Sequence, residues 1–274
     1  AFRPAQGDRP SIGSNTRANV MQSSFDPLRP HATVSLVAIQ TANLANAKAR
    51  RTTVAMKILM AVTGALFVFY VLMHMYGNLK LFAGEETFDS YAHHLRTIGE
   101  PILPYSGFLW LFRALPVASL IGHAYSAFYL WTKASGARSQ RYAVRQAGSA
   151  AFRSKAMRWG GVTLLLFLIF HLVQFTTNKI NFNSAVSASE IADSPYRLVV
   201  ASFQLWWVVL IYLLALAALG LHLQHGVWSG AQTLGWTNSP TARRYAKTAA
   251  AFIAALVVVG FALPPLAILS NLVK

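Results

Sequence analysis

The chain has 274 residues, no cysteine and a net charge of +16 at pH 7, yet only 12% of its residues are charged against 55% hydrophobic. Soluble domains carry about 25% charged residues, so the composition argues against a water-soluble globule and for a polytopic membrane protein. Without cysteine the chain offers no disulfide, no thiolate zinc site, no c-type haem attachment motif and no iron–sulfur cluster held by its own thiolates.

Up to Pro30 the chain is frequent in Arg, Pro, Gly, Ser and Asn and has no apolar core of a signal peptide. The run ATVSLVAIQTANLANAKA, residues 32–49, fits a short helix on a membrane surface. Five apolar runs then follow, each long enough to cross roughly 30 Å of hydrocarbon as a helix of about 20 residues. They are Ile58–Leu79, Gly107–Trp131, Trp159–Thr176 (running on to about Asn178), Leu198 to about Gly230, and Thr248–Ser270. Open backbone is not tolerated in lipid, so the spans are read as helices and the fold as all-α, with five transmembrane helices. Pro264-Pro265 should kink or end the fifth near the membrane edge.

The basic residues are not spread evenly. Lys48, Arg50, Arg51 and Lys57 precede the first span. The link between spans two and three holds Lys133, Arg138, Arg141, Arg145, Arg153, Lys155 and Arg158 and no acid. The link between spans four and five holds Arg243, Arg244 and Lys247, again without an acid. The other links mix charges: Lys80 and Arg96 with Glu85, Glu86, Asp89 and Glu100, and Lys179 and Arg197 with Glu190 and Asp193. The excess of Lys and Arg assigns the N-terminus and the two basic links to the cytoplasm, and Lys274 to the outside. Residues 1–50 are thus read as an N-terminal cytoplasmic arm, partly irregular, and 51–274 as the five-helix membrane domain. The basic balance reflects orientation, lipid and a soluble partner rather than nucleic acid.

Of eight histidines, five sit on spans: His74 on the first, His123 on the second, His171 on the third, and His222 and His225 on the fourth. Ionisable groups in the membrane are costly and mark function. At 1.5 Å per residue, His74 lies roughly 25 Å and His171 roughly 20 Å from the cytoplasmic ends of their spans. His123 and His222 each lie roughly 12 Å from theirs. Two depths, each served by two helices, suit bis-histidine haem, in which one imidazole approaches the iron from each side of the ring. Structural histidines or a proton relay are the alternatives, but a relay would normally recruit acids, and none lies in a span. His225 is one turn nearer the cytoplasmic surface than His222. There it suits a propionate contact or a quinone pocket, and His222 is the expected inner ligand. Gly77, Gly122 and Gly226 accompany the histidines, where a porphyrin or ordinary helix packing would use them.

The segments HMYGNLKLF (74–82), FDSYAHHLR (88–96), IFHLVQF (169–175) and HLQHGVWSGAQTLGW (222–236), with His123, carry a family resemblance. From about Lys57 to Ser270 the chain resembles the dihaem, five-helix cytochrome b anchor of succinate:quinone oxidoreductases. The most specific element is His222, Gly226 and Trp228, similar to the haem-bearing end of the family's fourth helix. The resemblance implies two b haems, with His74 and His171 as axial ligands of the outer one and His123 and His222 of the inner one. It also implies a complex with a flavoprotein and an iron–sulfur subunit, in a cell inner or cytoplasmic membrane. Succinate chemistry would lie on the flavoprotein, and quinone (menaquinone or ubiquinone) would take the electrons from this chain. Some dihaem fumarate reductases carry a Glu two residues before the fourth-helix histidine. Here Gly220 stands there, and the associated proton path is not expected. Dihaem anchors of hydrogenase or formate dehydrogenase type, and haem-free transporters, are the alternative classes.

Quinone needs a lipid-accessible cleft with polar groups at its carbonyls. The outer candidates are Tyr91, His94, Arg96 and Glu100, and the inner ones His225, Trp228, Ser229 and Gln232. Arg51, Lys57, Arg113 and Arg158 are propionate candidates, although snorkelling at a span edge explains most of them. Arg113 lies almost two turns inside the second span, where the outer haem's propionate would satisfy it. Trp110, Trp131, Trp159, Trp228 and Trp236 sit at or near span ends, as interfacial belts do.

Overall fold

Backbone in this computed structural model is described for residues 30–136, 149–177, 180–192 and 194–274, with side chains from Thr52 onward, 149–154 and Ala192 apart. Every element among them is helical: α1 (Pro30–Leu79), α2 (Glu85–Thr97), α3 (Gly107–Gly136), α4 (Ser149–Leu172), α5 (Ala188–Ala192), α6 (Pro195–Phe203), α7 (Trp206–Thr233) and α8 (Pro240–Leu269). A 3-10 turn, Lys80–Ala83, follows α1, and a π turn, Val173–Thr177, follows α4. Ala1–Ala49 and Arg50–Lys274 are separate units. In the first, helix covers the run 32–49.

Five helices are long and apolar enough to cross a membrane: Thr52–Ala83, Gly107–Gly136, Lys155–Thr177, Trp206–Thr233 and Pro240–Leu269. The chain is a multi-pass membrane protein of all-α class. Large apolar side chains such as Phe69, Trp110, Leu166, Leu214 and Phe252 stay exposed on these helices, as a lipid-facing surface requires.

The first and fifth spans begin earlier than the apolar runs, at Thr52 and Pro240, and two features inside the spans also differ from the sequence expectation. The fourth run was expected from Leu198, but α6 stops at Phe203 and α7 starts at Trp206, with Leu205 extended between them (φ −89°, ψ 112°). Asn183 stabilises this break: its side-chain amide donates to the Ala201 carbonyl (3.2 Å) and to Gln204 Oε1 (3.0 Å). A helix C-terminus leaves carbonyls without partners, and Asn183 meets one of them. Hydropathy does not register such a break, because the residues on both sides are apolar. In the fifth span, Pro264 and Pro265 do not end the helix, which continues to Leu269. Two missing N–H groups near a helix end are tolerated where neighbouring helices cover the site, and both prolines are buried.

The tightest seam is between α7 and α8, and α4 packs on α7. Val208, Val209, Tyr212, Phe203 and Ile268 form the main buried cluster, and Leu223, Ala254 and Val257 a second one. Gly220 permits the seam, since a Cβ there would lie 2.7 Å from Val258 Cγ2. A glutamate at this position has no room.

The two links rich in acid are tied together. Asp89 on α2 accepts from Ser194 Oγ (2.5 Å) and from the Tyr196 backbone N–H (3.0 Å) at the start of α6. Ser194 also caps α6 through the Arg197 N–H. The carboxylate thereby satisfies one of the N–H groups that the first turn leaves open and opposes the helix dipole. Glu85 pairs with Arg197 at 2.6 Å, but both are too exposed for the pair to add much. Replacing Asp89 by alanine should cost about 1–3 kcal/mol, and Asp89→Asn should recover part of it. Thermal unfolding of the detergent-solubilised protein reads this; an unchanged midpoint for Asp89→Ala would overturn the capping role.

Candidate functional site

The span histidines meet in two pairs. His74 on α1 and His171 on α4 have ring centroids 5.8 Å apart, with planes at 76°. His123 on α3 and His222 on α7 have centroids 6.1 Å apart, with planes at 57°. Four helices contribute, one ring each. His225, the competitor of His222, occupies an exposed position one turn further along α7. The pairs lie at different depths: Gly64 sits against His123, and ten residues, about 15 Å of helix, separate it from His74.

This spacing suits a shared iron. An imidazole nitrogen sits about 2 Å from a metal, and a ring centroid about 1 Å behind its nitrogen. Two imidazoles on opposite sides of one ion therefore have centroids slightly over about 6 Å apart. Among the described residues no group of three or more His, Asp or Glu gathers for a metal ion, and bis-histidine haem asks the protein for two ligands per iron.

Hydrogen bonds around the rings fit the same role. Thr63 Oγ1 donates its single hydrogen to the Leu59 carbonyl (2.7 Å) and lies 3.2 Å from His123 Nδ1. With that hydrogen committed, the hydroxyl can only accept, so His123 Nδ1 carries the proton and Nε2 keeps its lone pair. Tyr212 repeats the logic. Its hydroxyl donates to Gln174 Oε1 (2.9 Å) and lies 3.1 Å from His171 Nδ1. It must accept from that nitrogen, and His171 Nε2 is left as a base. Metal-ligating histidines are held in this way by their second nitrogen. The other two rings are not held in this way: His222 Nδ1 is buried without a partner, and Asn78 Nδ2, a donor, faces His74 Nε2 at 3.5 Å.

Aromatic rings surround the pairs. Tyr70 stacks on His74 (5.8 Å, 18°) and Phe261 leans on it (5.7 Å). Phe167 and Phe175 flank His171, and Phe67 meets His123 edge-on. Of the histidine-bearing helices, α1, α3 and α4 bury little of their most apolar stretch within the protein, whereas α7, which carries His222, buries a third of it, as α8 does. The donor set, and the tautomers of His123 and His171, fit two haems.

Two of the three glycines have the helix-packing role. Gly77 lies against Tyr91, Gly122 against Thr63 and Leu59, and a Cβ on Gly226 would meet nothing. None of these borders a histidine ring; the first two serve helix packing. The glycines that do are Gly64, beside His123 (3.5 Å), and Gly161, beside His222 (3.7 Å). A sequence signal for them exists. Each stands ten residues before the histidine of its own span, Gly64 before His74 and Gly161 before His171. Thr63, Tyr212 and Gln174 had no such signal, because their role depends on a neighbouring helix.

Of the quinone and propionate candidates, Tyr91 packs on α1 beside Gly77 and meets Tyr76 edge-on. Burial, with Tyr76 adding to it, pushes its phenol above the usual range, so it stays protonated. His94 and Glu100 are exposed, and Arg96 donates to the Ala92 carbonyl of its own helix (2.6 Å). Arg113 lies over the Trp110 ring (5.1 Å) and Arg158 over Trp131 (5.4 Å). Lys247 lies over Trp228 (5.1 Å). Lys57 and Gln232 are exposed, and Ser229 is half-buried. The side chain of Arg51, and Arg138, Arg141 and Arg145, lie outside the described residues. No protein-family model, curated protein or solved structure matches this chain.

Proposed function

We propose that the chain is a dihaem cytochrome b that anchors a succinate:quinone oxidoreductase in the membrane and carries electrons to quinone. The observation that supports the cytochrome reading best is the pair of facing histidine couples, 5.8 and 6.1 Å between centroids, drawn from four helices. The assignment to succinate oxidation rests on the sequence resemblance between Lys57 and Ser270.

In this reading His74 and His171 hold one haem, and His123 and His222 the other. Bound haem supplies one-electron exchange between ferric and ferrous iron. The protein keeps Nε2 of His123 and of His171 unprotonated, through Thr63 and through Tyr212 with Gln174, and surrounds the rings with aromatic side chains. The flavoprotein and iron–sulfur subunits dock at the basic cytoplasmic links, where Arg243, Arg244 and Lys247 steer association and fix register. The chain lies in the cell inner or cytoplasmic membrane, N-terminus inside and Lys274 outside.

Pyridine haemochrome analysis of the purified complex should give two b haems per chain, with flavin and iron–sulfur signals in the same preparation. No haem, or one per chain, would end the dihaem reading. Two haems without flavin or succinate-dependent reduction would keep the cytochrome and overturn the partner assignment.

A further inference from the structure

Two polar groups in the apolar interior have a connection that the haem ligands alone do not explain. Gln174 is fully buried, in a π turn that begins two residues after His171. Wide turns of this kind recur at functional sites. Its Oε1 takes the hydrogen of Tyr212, from the facing helix α7, and Tyr212 accepts from His171 Nδ1. Gln174 Nε2 is buried with no partner. Leaving such a donor unsatisfied in an apolar cluster is costly, so a residue chosen for packing alone would be apolar.

We propose that Tyr212 and Gln174 are positioning residues that lower the reduction potential of the haem held by His74 and His171; this rests on the dihaem reading above. Each bond in the chain strengthens the next. Donation to Gln174 makes the Tyr212 oxygen richer in electrons and a better acceptor. The better acceptor draws on the His171 Nδ1–H and makes Nε2 more basic. A more basic axial ligand favours ferric over ferrous iron, one of the levers by which a protein sets haem potential. The other pair has its own acceptor, the Thr63 hydroxyl on His123, which ends on a backbone carbonyl rather than a side chain. A chain of two side chains can therefore be altered on one haem while the other serves as an internal control.

The test is spectroelectrochemical titration of the intact complex with both haems resolved. Tyr212→Phe keeps the ring against Phe167 and Phe203 and removes the acceptor. It should shift the ferric–ferrous equilibrium of the His74–His171 haem toward ferrous by about tenfold, about 59 mV upward for one electron, with the other haem unmoved. Gln174→Leu should move the same haem in the same direction, by less. Thr63→Val should move the His123–His222 haem instead. The proposal fails if Tyr212→Phe and Gln174→Leu leave both midpoints in place or move both haems alike. It also fails if Tyr212→Phe loses the haem while Gln174→Leu leaves the midpoint unchanged. A wild-type complex without haem would instead overturn the functional reading itself.

Discussion

Replacing His74 or His171 by alanine is expected to remove one b haem and leave the other spectroscopically intact, and replacing His123 or His222 should do the reverse. The expectation follows from the pairing: each ring has one partner across the bundle, on a different helix, and the two couples lie at different depths. Loss of one imidazole leaves the second without a counterpart, whereas the other couple, about 15 Å away along the helix, keeps both of its ligands. His225→Ala should retain both haems, because His222 is the ring that faces His123. Difference spectra of the five single variants, with haem quantified per chain, decide the matter. If His225→Ala loses a haem while His222→Ala keeps two, the inner ligand is wrongly assigned. If His74→Ala and His123→Ala remove the same haem, the pairing is wrong.

Gly260→Val should damage both the fold and one site. A Cβ at Gly260 would come within 2.2 Å of Met75 Sδ and 2.9 Å of its Cγ. Met75 is buried and follows His74 in α1, while Phe261, next to Gly260 in α8, leans on the His74 ring. Overpacking a tight contact costs about 1–3 kcal/mol and more where the backbone must move. Relief comes from re-orienting the Met75 side chain in its buried position beside His74 or from separating α1 from α8, and the second displaces His74. Expected results are a lower unfolding midpoint, poorer yield in detergent, and weaker retention of the His74–His171 haem. Gly136→Val serves as a control, because a Cβ there meets nothing. An undiminished unfolding midpoint for Gly260→Val would mean that α8 does not press on α1 as described.

Hydrophobicity alone determined the all-helical class, the number of spans and most of their extents. Twenty apolar residues without charge leave the backbone no alternative to a helix in lipid. Depth along a helix is linear in residue number, so the sequence also contained which histidines share a level: His74 with His171, and His123 with His222. Other features depend on how one helix meets another, which no linear pattern records. The interruption at Leu205 lies in an unbroken apolar run and depends on Asn183, about twenty residues earlier. Pro264 and Pro265 read as a helix end, yet neighbouring helices cover the unpaired backbone and α8 continues. Gly64 and Gly161 share a spacing ten residues before a histidine of their own span, but that they sit against His123 and His222 of other helices is a contact only the fold makes. The tautomers were decided in the same way, because a hydroxyl acts as acceptor only once its own hydrogen is committed. For Tyr212 that commitment is made by Gln174, thirty-eight residues earlier in the chain.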